Sequence, residues 1–280
     1  MATNLVISYP HIPWIAQGRS YNFTESTAGN FNSGTAYHDR MNTVTGERSN
    51  YYESSTSINT ILYNWDLGAS TTVAPDHCVL ARLDMLIALT AQPINIRVQG
   101  SASSSYSSPV TASSGGLTSS DLLGPRSDDY IFTFSLAAKQ YWQVEVYPTS
   151  GAITHVYSKL YVGAFHDFLE EPDYEIKRIP ARESYFYASS GASYLQRIEE
   201  PIYRVTFEWR RITDDVVRDF YNNIVRWKHI HGFFLYTKTN HNPLDNKRLI
   251  HCRLVEASTY NSGNKADSNT VIATFEEMLG

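Results

Sequence analysis

Ile94-Asn95-Ile96-Arg97-Val98-Gln99-Gly100 alternates apolar and polar side chains along the segment. A period of two places Ile94, Ile96 and Val98 on one face, as in a strand with one buried side. Tyr141-Trp142-Gln143-Val144-Glu145-Val146-Tyr147 repeats the pattern, with Trp142, Val144 and Val146 on one face and Gln143 and Glu145 on the other. Working outward, Ile61 to Leu67, Cys78 to Ile87, Tyr130 to Phe134 and Leu160 to Gly163 are further short apolar runs. Between them, Ser101 to Gly116 is rich in serine and reads as a flexible loop. Several short strands separated by turn signals predict a β-sandwich over residues 31–166.

Downstream, residues 167–182 form a charged, proline-containing connector that opens Phe168-Leu169-Glu170-Glu171-Pro172-Asp173. Residues 183–280 read as a second, α+β domain. Tyr203, Val205, Phe207 and Trp209 share one face of a strand. Thr213 can cap a helix whose first turn carries Asp214 and Asp215, favourably placed at the positive end of the dipole. Val216, Val217, Phe220, Tyr221, Ile224 and Trp227 recur at helical spacing as a stripe to be buried. Lys228 and His229 suit the last turn, and Gly232 the left-handed position beyond it. Phe233 to Tyr236, Leu249 to Val255 and Val271 to Glu276 complete the set as strands. The predicted class is therefore mainly β: a sandwich, then a small α+β domain with one packed helix. Residues 1–30 are polar with scattered aromatics and read as an extended N-terminal arm.

The composition narrows the function. Of 280 residues, 42% are hydrophobic and only 18% charged, while tyrosine occurs 20 times. A net charge of −5 offers no basic excess to track a phosphate backbone, so direct nucleic-acid binding is not expected. Two cysteines, Cys78 and Cys252, are too few for a disulfide framework and suggest synthesis in a reducing cytosol. The first ten residues have neither the basic start nor the apolar core of a signal peptide, and no apolar run is long enough to insert in a membrane.

Catalytic patterns are missing. There is no glycine-rich phosphate loop, nucleophile elbow or HExxH helix. His229, His231, His241 and His251, with Cys252, are the residue types that zinc takes, but they lack finger-like spacing. Asp66, Asp84, Glu145 and Glu208 could serve acid–base chemistry, yet no spacing ties two together, and Glu145 is expected to face solvent or another subunit. Catalytic, metal and cofactor sites are accordingly all expected to be none.

Taken together, Trp65-Asp66-Leu67-Gly68, Ile94 to Ser101, Tyr141-Trp142-Gln143-Val144 and Val156 to Gly163 resemble the strands of galactose-binding-like, discoidin-type jelly rolls. Gln143 stands where such domains usually carry arginine, so inherited ligand binding does not follow from the likeness. In the second half, Tyr203 to Trp209, the helix start at Ile212-Thr213-Asp214-Asp215, Gly232 to Tyr236 and Thr274-Phe275-Glu276-Glu277 resemble tail-tip proteins of tailed bacteriophages, of the distal-tail or baseplate-hub type.

That resemblance implies a structural virion protein of the tail, not an enzyme, in a homo-oligomeric ring of three- or six-fold symmetry with tail-tube and hub proteins as neighbours. The expected contact residues are Tyr9, Trp14, Tyr21 and Phe23 in the arm, and Arg218 and Arg226 on the helix. The arm's aromatics could instead pack on their own sandwich. The alternative function is a carbohydrate-binding module for adhesion or receptor recognition on the host surface, with loop aromatics such as Tyr106 as the contact.

Overall fold

A computed structural model describes residues 5–9, 12, 52–53, 60–69, 71–81, 93–121, 129–151, 156–157, 159–179, 183–187, 193–197, 202–227, 232–238, 249–261 and 268–278. The chain divides into two compact units, one built mainly from residues 8–165 and the other mainly from 166–246 and 250–280. The fold is mainly β, a β-sandwich followed by a small α+β unit.

In chain order the strands up to the division are β1 (Leu5–Tyr9), β2 (Tyr52–Glu53), β3 (Ile61–Asp66), β4 (His77–Ala81), β5 (Ile94–Ser101), β6 (Val110–Leu117), β7 (Tyr130–Thr133), β8 (Tyr141–Pro148), β9 (Val156–Tyr157) and β10 (Lys159–His166). The sandwich has one sheet in the order β3-β8-β5-β6 and faces it with β10-β4-β7. All of these neighbours are antiparallel. The alternation read from the sequence is the alternation observed: Ile94, Ile96 and Val98 on β5 and Trp142, Val144 and Val146 on β8 are buried. They share the core with Tyr63, Trp65, Cys78, Leu80, Leu160 and Val162.

The outward face of the same sheet is not idle. Glu145 lies opposite Arg97 and pairs with it, Arg97 Nε donating at 2.6 Å, so its partner is within its own sheet. Gln143 donates to Asn64 at 2.6 Å across β8 and β3. At the centre, Trp65 and Trp142 face each other in register, both essentially inaccessible. Gly100 sits across from Trp142, and a Cβ there would fall 2.7 Å from the ring. Only glycine lets β5 approach the indole this closely.

The second unit contains β11 (Asp173–Ile179), β12 (Glu183–Tyr187), β13 (Ser193–Arg197), β14 (Ile202–Ile212), helix α1 (Asp214–Asn223), β15 (Phe233–Thr237), β16 (Leu249–Asn261) and β17 (Asn269–Glu277). Its main sheet runs β11-β14-β17-β16-β15. One face carries Val205, Phe207, Trp209, Ala273 and Phe275, all buried. Phe168 stacks on Trp209 at 4.0 Å between ring centres, and Phe220 of α1 lies 5.1 Å from Phe168. The other face is a polar lattice. Thr206 and Thr274 are hydrogen-bonded at 3.0 Å, and Glu276 lies between Arg204 and Arg253, which both donate to it. Burial alone would raise the Glu276 carboxyl, but the two guanidiniums outweigh it and hold the group below its usual range.

Three expectations need correction. The segment beginning Leu5–Tyr9 is a strand with all five residues buried, not the start of an extended arm. Deleting residues 1–25 therefore removes buried apolar surface. The connector over 167–182 contains β11, a seven-residue strand paired along its length with β14. The helix is also shorter than its periodicity suggests. Thr213 caps it by accepting from Val216 N at 3.4 Å, but Ile224 already closes it, and a 3₁₀ turn, Val225–Trp227, follows. Tightening to 3₁₀ winding rotates later positions off the helical stripe. Phe220 and Ile224 are buried, Val216 and Val217 partly so, while Tyr221 is 37% exposed and accepts a bond from Thr259 at 3.2 Å. The side chain of Trp227 lies outside the described residues.

His166 is buried beside Phe168 and Phe220, and among the described residues its Nε2 has no hydrogen-bond partner. Burial pulls its pKa from 6.5 down to about 4, against a smaller upward pull from Asp167. The unfolded chain therefore binds this proton first. The stability due to neutral His166 is complete above pH 6.5 and is lost as pH falls through 4, by about 3 kcal/mol at most. His77 in the other unit is shifted in the same direction, so a comparison of variants is needed. His166→Leu is expected to lose less stability than the parent between pH 7 and pH 4, read by urea unfolding. Equal losses would assign the acid sensitivity elsewhere.

Candidate functional site

The best-defined polar cluster lies at one end of the sandwich. Register aligns Asp66 at the end of β3, Tyr141 at the start of β8 and Ser101 at the end of β5 in one row across the sheet. Asp66 Oδ1 accepts from Gly68 N at 2.8 Å and from Gln140 Nε2 at 3.0 Å, which fixes its orientation. The loop after Ser101 is held by its own side chains: Ser103 N donates to Ser101 Oγ at 3.1 Å, and the Ser103 and Ser105 hydroxyls meet at 3.0 Å. The serines expected to make a flexible loop instead form a hydrogen-bonded turn, and the rest of that stretch, from Val110, is strand β6. The turn closes on Tyr106, whose N donates to Ser103 O at 3.2 Å and whose φ is 50°, in the left-handed region.

Tyr106 is partly buried, not fully exposed as expected for a loop aromatic. Burial pushes its phenol above the ordinary range, and the Asp66 carboxylate adds to the shift. A half-buried ring on the loop that leaves this row can stack on an apolar C–H face, and the row's fixed carboxylate and carboxamide can accept from and donate to hydroxyls. Sequence reading singled out Tyr106, took Asp66 as an acid–base candidate and as part of the jelly-roll likeness, quoted Tyr141 only as a strand residue, and did not single out Gln140. The available signal was positional: Asp66 ends a strand just before Gly68, and Tyr141 begins one.

A second constellation is out of reach of sequence spacing. Ser8 Oγ lies 2.7 Å from His77 Nε2, and His77 Nδ1 lies 2.6 Å from Asp76 Oδ1. The order serine, histidine, aspartate is that of a hydrolase triad. Here Ser8 and His77 are both fully buried, and Phe165 stacks on the imidazole at 4.0 Å. At Gly163 a Cβ would lie 2.6 Å from Nε2 and 2.5 Å from the Tyr9 carbonyl oxygen, so β10 presses directly on the group. No substrate can reach the serine, and the arrangement ties β1 to the sandwich.

The remaining candidates are placed as follows. Tyr9 is buried in β1 and is not available as a contact surface. Trp14, Tyr21 and Phe23 lie outside the described residues. Arg218 is exposed and pairs with Asp215 at 2.7 Å, and Arg226 is exposed just beyond α1. Glu208 is taken up by Arg210 at 2.7 Å. His251 and Cys252 are buried, and burial pushes the Cys252 thiol up, away from the thiolate that zinc requires. Asp84, His229, His231 and His241 lie outside the described residues. Among the described residues no three metal-ligating side chains converge, and no helix is long and apolar enough to cross a membrane.

No family model matches the chain, and no curated protein does so. Solved structures show distant likeness. A Ruminococcus gnavus fucosidase of glycoside hydrolase family 29, in complex with fucose, has a TM-score of 0.37 and 14% identity over 54% of this chain and 26% of that one. A truncated AlyQ with CBM32 and alginate lyase domains has a TM-score of 0.32 and 12% identity over 85% of this chain and 56% of that one. The chain spans about a quarter and about half of these two proteins. Neither is close enough to carry a site or an activity across.

Proposed function

We propose that the chain is a non-catalytic structural subunit of a tailed-phage tail tip. The observation that supports the reading is the second unit itself. The segments that carry the tail-tip resemblance, β14, the Thr213-capped helix, β15 and the glutamate-bearing β17, make up one sheet with a helix on its apolar face. The opposite face is left polar and cross-linked, with Tyr260 48% exposed near its rim. A rigid, amphipathic surface of this sort suits contact with neighbouring subunits. In particles made from the genome that encodes it, mass spectrometry should find this chain at a few copies per tail, and labelling should place it at the tail end. Its absence from purified particles would overturn the proposal.

The sandwich end supports a second reading, host-carbohydrate recognition, through Tyr106 on the loop that leaves the row of Asp66, Tyr141 and Ser101. On a glycan array the parent chain is then expected to bind a hexose-bearing ligand. Tyr106→Ala should weaken binding about tenfold or more, the effect of losing one stacked ring and its hydrogen bond. An array on which the parent binds nothing rejects this reading and leaves the assembly proposal intact.

A further inference from the structure

Strand β11 is the end strand of the second unit's main sheet, and among the described residues it pairs only with β14. Its sequence, Asp173-Tyr174-Glu175-Ile176-Lys177-Arg178-Ile179, is acidic in the first half and basic in the second. Asp173, Tyr174, Glu175 and Lys177 are exposed and Ile176 is partly so. A seven-residue edge that no other described strand covers is a template for another strand unless something blunts it. This one carries no proline or glycine, and its charges are arranged in a way that selects a partner.

We infer that β11 is a self-recognition edge, which pairs antiparallel with β11 of a second copy about a two-fold axis at Ile176. In that register Glu175 of each copy lies directly opposite Lys177 of the other, so two opposite-charge pairs flank the axis. Directly opposed residues of an antiparallel pair share a face, where unlike charges attract and like charges repel. Glu175 and Lys177 are free to engage: they contact each other at 3.4 Å and are 65% and 66% exposed, so their own ion pair contributes little. On the other face Ile176 meets Ile176, beside Tyr174, which is 51% exposed and becomes covered.

Alternative registers are penalised. An axis at Glu175 sets Glu175 against Glu175, and an axis at Lys177 sets Lys177 against Lys177. In-register parallel pairing opposes every charge to itself. Only the axis at Ile176 pairs Glu175 with Lys177, and register selection by like-charge penalty is how an edge strand accepts one partner and refuses others. The contact is isologous and closes at two copies, so the edge is used up and does not propagate into a fibre. The inference rests on the strand itself and does not require the tail-tip reading.

Sedimentation of the purified full-length chain over a concentration series tests it. The parent is expected to form a dimer. Lys177→Glu sets glutamate against glutamate twice, and Glu175→Lys sets lysine against lysine. Each should weaken dimerisation by about tenfold or more, with an unchanged circular dichroism spectrum. The double variant Glu175→Lys/Lys177→Glu restores opposite charges in the same register and should dimerise like the parent. Loss in both single variants with recovery in the double supports the pairing. A monomeric parent at every concentration, or equal association of all four proteins, overturns it. Particle association of a monomeric single variant would separate this edge from the contacts that hold the chain in a tail.

Discussion

Phe220→Ala is expected to destabilise the second unit by about 3–5 kcal/mol, the range for emptying a fully buried phenyl site. Phe220 is wholly inaccessible and is the buried residue of α1. Its ring meets Phe168 at 5.1 Å and His166 at 5.5 Å, and Phe168 in turn stacks on Trp209 of the sheet. Truncation therefore opens a void between helix and sheet, walled by the rings of His166, Phe168 and Trp209. A ten-residue helix does not persist without tertiary packing, so the loss reaches the whole element. Arg218→Ala and Arg226→Ala are the controls. Both side chains are exposed, and each replacement should change stability by less than about 0.5 kcal/mol. Denaturant unfolding of the three variants decides the matter. A Phe220→Ala protein as stable as the parent would show that α1 is not packed through this ring.

Trp142→Ala should cost the sandwich a similar amount, about 3–5 kcal/mol. Trp142 is fully buried, lies opposite Trp65 in register, and donates its indole N–H to Lys139 O at 3.0 Å. Removal leaves a large void and takes one of the two donors from the Lys139 carbonyl, which keeps Val73 N at 3.1 Å. The converse change tests the same contact from the other side. Gly100→Ala drives a methyl into the ring at 2.7 Å, a separation that the packed core must relieve by moving the indole. Thermal unfolding of both variants should show early loss of the sandwich. If Gly100→Ala unfolds with the parent, β5 does not press on Trp142 as described.

Much of the architecture was legible because it depends on period. Ile94-Ile96-Val98 and Trp142-Val144-Val146 alternate, and both sets are buried. Val205, Phe207 and Trp209 do the same on β14. Thr213 was readable as a cap because its chemistry is local to one turn. Less legible were elements that carry charge for a reason other than solvation. The run around Asp173 looked like a linker, yet it is a strand, because an edge needs only one buried neighbour and tolerates charges on its open side. β1 was hidden for a related reason. Leu5-Val6-Ile7-Ser8-Tyr9 is too short to show a period, and a run buried on every side has none.

By itself, then, the sequence determined the mainly β class of the chain, the position of most strands and the sidedness of the helix. These follow from contacts within a few residues or from a repeating pattern, which any sequence displays. The tertiary structure alone decided which distant groups meet. It bonded Gln140 to Asp66 and aligned Asp66, Tyr141 and Ser101 in one row, joined Ser8 to His77 across 69 positions, and set Glu276 between Arg204 and Arg253. Such meetings depend on strand order and register, and these are set by the closing of the whole core, where a shift of one residue would turn every side chain to the wrong face.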